Sequence, residues 1–229
     1  MVDRLSPVGS GLTSERARAR MVDALRAQGI RHQAVLDAMN IVPRHAFLDS
    51  ALASRAYEDV ALPIGQGQTI SKPSTVARML ELLARGRTPS ALQSAKVLEV
   101  GTGCGYQAAV LAKVFGQVIS VERVRWLHEA ARTHLRPLRL PNLRLAFGDG
   151  FQGVEAEAPY DSIVVAAAGN EIPDPLLMQM QVGARLIAPV EIATGAGQAL
   201  HQVDREAADH WTLTVLDAVR FVPLRRGTR

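Results

Sequence analysis

The run Ile163-Val164-Val165-Ala166 carries no polar side chain, so a strand built from it has to be covered on both faces. Parallel sheets with helices on both sides meet that condition, and the neighbouring sequence supplies the helices. Val97-Leu98-Glu99-Val100, Val118-Ile119-Ser120-Val121 and Leu143-Arg144-Leu145-Ala146-Phe147 read as earlier strands, with helical stretches at 106–115 and 124–136 between them. A helix over 173–181 and a strand over 185–190 continue the alternation. The pattern predicts a doubly wound, Rossmann-like α/β sheet. Ala199–Val203 and Trp211–Val222 are β-rich with no helix between them, and are expected to add antiparallel strands at one edge.

Upstream of this alternation the chain is mostly helical. Helices are expected over 13–28, ended by Gly29, over 33–41, stopped before Pro43, and over 73–83. Between the last two, the stretch 60–72 contains Pro63, Gly65 and Gly67 among polar residues and reads as a loop, and Gly86 to Ser90 reads as a break. Residues 1–12 are small and polar, and are expected to be flexible. The organisation that follows is a single domain over 13–229, in which 13–90 gives N-terminal helices and a loop and 95–229 gives the α/β core.

In an open parallel sheet, ligands sit beyond the carboxyl ends of the strands. The first strand ends in Gly101-Thr102-Gly103-Cys104-Gly105, the second in Glu122, and the third in Gly148-Asp149-Gly150. Glycines allow the backbone to approach a ligand without a Cβ clash. An acid about 20 residues past the first glycine can accept two hydrogen bonds from ribose hydroxyls. An Asp on the third strand can accept one from an adenine amine. Together they describe a nucleoside pocket. The third glycine of a dinucleotide fingerprint would fall at Tyr106, so the spacing disfavours a pyrophosphate at the helix start. Each residue also has a plain structural role open to it: Glu122 as a surface acid, Asp149 as a turn stabiliser, Cys104 as a small wall residue.

The turn, the later acid and the Gly-Asp-Gly resemble those of S-adenosylmethionine methyltransferases. No Asn-Pro-Pro-Tyr or Asp-Pro-Pro-Tyr follows the fourth strand, where the chain reads Ala166-Ala167-Ala168-Gly169-Asn170, which counts against methylation of DNA bases or glutamine. A closer resemblance lies in Val42-Pro43-Arg44 with Phe47, in Ala56-Tyr57-Glu58-Asp59, and in Leu62-Pro63-Ile64-Gly65-Gln66-Gly67-Gln68-Thr69-Ile70-Ser71-Lys72-Pro73. It continues through Val97–Gly103, Gly105–Leu111, Ser120-Val121-Glu122-Arg123, Ala158-Pro159-Tyr160-Asp161 and Phe221-Val222-Pro223-Leu224. Over 14–224 the chain is similar to the protein-L-isoaspartate (D-aspartate) O-methyltransferases, and Thr69-Ile70-Ser71 is the most specific part of the match.

The resemblance implies transfer of a methyl group from S-adenosylmethionine to the free α-carboxylate of an L-isoaspartyl residue in a damaged protein or peptide, D-aspartyl residues being further candidates. The product cofactor is S-adenosylhomocysteine, and the ester closes to a succinimide whose hydrolysis partly restores normal Asp. Ser71 aligns with the family's active-site serine and would orient the acceptor carboxylate. Thr69 and Ile70 would contact the cofactor, as would Gly101, Thr102, Gly103, Cys104, Glu122, Asp149 and Gly150. A carboxylate is already ionised at neutral pH, so in-line positioning carries the catalysis. Ser71, just ahead of Lys72-Pro73, also reads as a helix N-cap, and the two roles are compatible. The chain departs from the family's common residues at Lys72, Cys104, Gly183-Ala184 and Glu191, which bears on substrate scope. The alternatives are a related carboxyl methyltransferase acting on one modified peptide and, from another class, a nucleic-acid-binding or RNA-modifying protein.

Charge motivates that last alternative. The net charge is +4, and of the 26 basic residues only Lys72, Lys96 and Lys113 are lysines. The arginines are scattered rather than gathered in a stripe with interleaved aromatics, so no nucleic-acid partner is expected. One cysteine, Cys104, makes no internal disulfide, and the six histidines lack metal-ligand spacing, so no metal is expected. No apolar run reaches membrane-spanning length, and no leader is visible; a cytoplasmic monomer acting away from membranes is the expectation.

Overall fold

The computed structural model describes residues 15–192 and 195–229; the flexible segment expected over 1–12 lies outside the described residues. Two helices come first, α1 (Glu15–Ala27) and α2 (Gln33–Ile41). Met21, Val22 and Leu25 on α1 and Val35, Leu36 and Met39 on α2 are buried, as their helical spacing requires.

The stretch read as a loop holds a small hairpin instead, β1 (Leu62–Gly65) paired antiparallel with β2 (Gln68–Ile70). Gln66 and Gly67, at φ 55° and 69°, make a two-residue turn with both central residues left-handed, the type I′ geometry that matches strand twist. Gln in place of the usual Asn or Asp hides this turn in the sequence. Then come α3 (Pro73–Ala84) and, at the end of the expected break, a short α4 (Pro89–Ser94) capped by Thr88, whose hydroxyl accepts from the Ala91 N–H at 3.2 Å.

The α/β part follows the expected alternation: β3 (Lys96–Val100), α5 (Tyr106–Val114), β4 (Gln117–Glu122), α6 (Arg125–Leu135), β5 (Leu143–Phe147), β6 (Tyr160–Val165), α7 (Asp174–Met178), β7 (Met180–Glu191), β8 (Gln198–Ala207) and β9 (His210–Val219). These seven strands, β3 to β9, form one sheet in the order β5-β4-β3-β6-β7-β8-β9. The first five are parallel, and β8 and β9 add antiparallel at one edge. Helix α7 is shorter than the expected 173–181, because Met180 already pairs with Tyr160 as the first residue of β7.

Val164 packs into the apolar layer beneath α1, α2, α3 and α5, whereas Ile163 and Val165 pack into the layer on the opposite face with Leu176 of α7. All three β6 side chains are at most 1% exposed, so the unalternated apolar run is covered on both sides. From β3 the chain runs outward to β4 and β5, then crosses to β6 on the other flank of β3. The crevice at the carboxyl ends of β3 and β6 is therefore the switch point at which such sheets bind ligands. Among the described residues no helix is long and apolar enough to cross a membrane.

Candidate active site

At that crevice Gly101, Gly103 and Gly105 all adopt positive φ, 96°, 56° and 94°. The conformation turns β3 into α5 with the backbone facing outward, which side-chain-bearing residues resist. Space is as tight as the dihedrals: a Cβ on Gly103 would stand 3.2 Å from Ile64 Cδ1 of the hairpin, and one on Gly150 would stand 2.5 Å from Val100 Cγ1.

Glu122, at the end of β4, is 5% exposed. Its Oε2 accepts from the Gly103 N–H at 2.8 Å and its Oε1 from the Val124 N–H at 2.9 Å. Each oxygen keeps a further lone pair, so the carboxylate both fixes the glycine turn and retains acceptor capacity for a diol. Asp149 is placed differently. Its Oδ1 accepts from the Phe151 N–H at 2.9 Å and its Oδ2 from the Gly227 N–H at 2.7 Å, and it is not on the cavity wall; Gly150 is.

One cavity brings together Thr69, Ile70 and Ser71 on one side with Gly101, Thr102, Gly103 and Cys104, Glu122 and Gly150 on the other. Of the residues expected to contact cofactor or substrate, only Asp149 is left off its wall. The sequence reading passed over several others. Val124 and Leu127 supply an apolar wall beside Glu122, and Val222, Pro223 and Leu224 close the far side. Positions 124 and 127 fall in the helical segment expected over 124–136, and nothing in their local pattern marks them as cavity residues. Residues 222–224 are carried in by hydrogen bonds between Ala168 and both Val222 and Leu224, a long-range pairing that no local pattern announces.

Ser71 lies immediately before the residue that caps α3, which is Lys72, and among the described residues its hydroxyl has no hydrogen-bond partner. The N-cap reading of Ser71 is thus corrected. Asp59 Oδ1 takes the free Ser74 N–H at 2.8 Å from outside the helix, leaving the serine hydroxyl available to a ligand. A second, larger cleft opens from the same place. It is lined by Lys72, Ser74, Arg78 and residues 217–222, and it shares Thr69, Ser71, Ala166 and Val222 with the first cavity. Arg78 in this cleft pairs with Asp217 at 2.8 Å and with Glu81 at 3.6 Å. Exposed Lys72 has no ion-pair partner among the described residues. Glu191 ends β7 on neither wall, accepting from Gln198 at 2.7 Å.

Behind the turn, Glu99 is fully buried; its Oε2 accepts from Ser120, whose hydroxyl also meets Thr102 Oγ1 at 2.6 Å. Burial pushes the Glu99 carboxyl up to about 8, against the pull of the Ser120 hydrogen bond. Burial likewise raises the Cys104 thiol to about 11, so this residue is a small neutral wall element rather than a thiolate. Arg44 is buried beside them, its Nε donating to the Ala56 carbonyl at 2.7 Å and its guanidinium 5.1 Å from the Tyr106 ring, which ties the approach to the hairpin onto α5. Among the described residues no three His, Cys, Asp or Glu side chains converge as metal ligands do.

Gly101 and Gly103 line a cradle that Cβ atoms would narrow, and Glu122 faces it with acceptor capacity to spare. An S-adenosyl group fits those features better than a dinucleotide, since Tyr106 buries its ring where the third glycine would stand.

A family model described as Protein-L-isoaspartate(D-aspartate) O-methyltransferase matches residues 16–229. The protein-L-isoaspartate O-methyltransferase of Burkholderia ambifaria is 54% identical over 224 residues, 97% of this chain and 71% of that protein. The one from Burkholderia thailandensis is 56% identical over 216 residues, 94% of this chain and 64% of the relative. A solved protein-L-isoaspartate O-methyltransferase superposes with a TM-score of 0.80 at 29% identity, over 90% of this chain and 65% of that one. A putative protein-L-isoaspartate O-methyltransferase from Plasmodium falciparum, solved in complex with S-adenosyl-L-homocysteine, gives 0.78 at 23% identity over 91% and 98%.

Proposed function

The chain belongs to the protein-L-isoaspartate (D-aspartate) O-methyltransferase family, and from that premise we infer that it methylates the free α-carboxylate of L-isoaspartyl residues in damaged proteins, using S-adenosylmethionine. The observation that carries this reading is the shared wall: Thr69 and Ser71 line both the narrow cavity beside the glycine turn and the wide cleft outside it. A methyl donor held in the first and a peptide held in the second would meet at Ser71.

When bound, S-adenosylmethionine supplies an electrophilic methyl group on a sulfonium. This chain's residues supply the positioning. Glu122 accepts from the ribose hydroxyls, and Gly101, Thr102, Gly103, Cys104 and Gly150 let the donor lie close to the backbone. Thr69 and Ile70 close over it from the hairpin side. Asp149 acts in this reading through the turn that presents Gly150, since Gly150 lines the cavity and Asp149 does not. The Ser71 hydroxyl donates to one oxygen of the acceptor carboxylate and aims the other. No general base is called for, because the nucleophile is an anion at neutral pH. The reading extends to a cytoplasmic monomer that needs neither membrane nor nucleic acid, supported by a charge distribution without a basic stripe.

The test uses labelled S-adenosylmethionine and paired peptides that differ only in L-isoaspartyl against normal Asp at one position. Base-labile label on the isoaspartyl peptide alone is the expected result. Cofactor binding with transfer to neither peptide would move the acceptor to another carboxylate and favour the modified-peptide alternative. Absence of cofactor binding would remove the reading altogether.

A further inference from the structure

Residues 222–229 cross the carboxyl edge of the sheet and bond to each loop they pass. Leu224 donates to Ala168 beyond β6 at 2.7 Å, and Gly227 donates to Asp149 beyond β5 at 2.7 Å. Arg229 pairs through its backbone with the segment beyond β4, donating to the Arg123 carbonyl at 2.9 Å and accepting from the Arg125 N–H at 2.8 Å. The Arg123 side chain answers by donating to the Gly227 carbonyl at 2.6 Å. Finally the Arg229 guanidinium reaches the tip of the hairpin, donating to the Gln66 carbonyl at 2.9 Å.

The hairpin is a wall of the cavity that is not built on the sheet. It rests on the glycine turn through Ile64, and at Gly65, where a Cβ would stand 3.1 Å from the Trp126 ring. In this position the hairpin narrows the mouth of the cavity, so an S-adenosyl group entering or leaving on that side displaces it. We propose that Arg229, with Gly227 and Arg123, forms a clasp that holds the β1–β2 hairpin shut over the cofactor cavity, making Arg229 a positioning residue that sets the rate of cofactor exchange. The proposal rests on the assignment of that cavity to the S-adenosyl group. Arg229 acts on the gate rather than on the cofactor: it bonds to the hairpin backbone and is absent from the cavity wall. Loosening it therefore speeds entry and exit alike and leaves the ratio of the two rates nearly unchanged.

Stopped-flow fluorescence tests this, with Trp126 against the hairpin as reporter and S-adenosylhomocysteine as the probe, on the whole chain. In Arg229→Ala both association and dissociation rates should rise by about fivefold, the scale of one charge-assisted hydrogen bond lost at an exposed site. The Kd should stay within twofold and the melting temperature of the free protein unchanged. Arg229→Lys, which keeps a donor for the Gln66 carbonyl, should restore slower exchange. Unchanged rates in Arg229→Ala overturn the clasp, while wild-type binding still upholds the cavity assignment. A rise in dissociation alone also overturns it, since Arg229 would then be a direct ligand contact. Failure of the wild type to bind the probe overturns both.

Discussion

Ser71 precedes the cap of α3 rather than serving as it, so replacing it separates catalysis from stability. Ser71→Ala is expected to lower kcat at least tenfold, with the Kd for S-adenosylmethionine and the melting temperature both held. A fall in melting temperature with unchanged turnover would return Ser71 to a structural role. Glu122 behaves in the opposite way, because one carboxylate anchors Gly103 and Val124 while facing the cradle. Glu122→Ala should weaken S-adenosylmethionine binding by roughly 1.5–3 kcal/mol, the range of a hydrogen bond to a charged group. It should also lower the melting temperature, because the buried Val124 N–H and the part-buried Gly103 N–H lose their acceptor. Calorimetry and a thermal melt on the same sample read both effects, and an unchanged Kd would take Glu122 out of the binding site.

The strands were legible in the sequence because burial on both faces leaves an apolar signature that needs no partner to be recognised, as at Ile163–Val165. The hairpin was not, because its turn uses Gln66 where Asn or Asp would announce left-handed backbone. Nor was the length of β7 legible, since its pairing with Tyr160 extends it back into a helical-looking stretch. The glycine turn and Glu122 each end a strand in the sequence, and the Gly103–Glu122 hydrogen bond joins them across adjacent strands. The placement of Asp149 depended on Gly227, which lies far along the chain and carries no side chain to betray it. The cap of α3 is a similar long-range case, with Asp59 standing in for an N-cap side chain. Asp59→Ala should therefore destabilise the protein by about 0.5–1 kcal/mol, a capping loss at an exposed site. Urea unfolding would measure it, and the effect should survive in Ser71→Ala, since the two residues serve the helix start and the acceptor separately.

For the molecule as a whole, Glu99 couples folding to pH. Burial raises its carboxyl to about 8 in the folded chain, whereas in the unfolded chain it titrates in the ordinary range near 4.5. Between those values the folded protein holds a proton that the unfolded chain has lost, so this group's stabilising contribution is intact below the lower value and declines as pH rises towards the upper one. The decline is at most about 1.4 kcal/mol per pH unit. His45 and His201 work against it. Burial lowers both, so the folded chain gives up these protons at lower pH than the unfolded chain does, which adds stability as pH rises towards 6.5. The wild-type curve mixes the two trends, and Glu99→Gln isolates one of them. An amide fits the same space and does not titrate, so the variant should gain stability relative to the wild type steadily from pH 5 to pH 8, with the histidine contribution common to both. Urea unfolding at three pH values across that window gives the difference. A constant difference would mean that the Glu99 carboxyl titrates alike in folded and unfolded chains, and that Ser120 stabilises its charge enough to cancel the cost of burial.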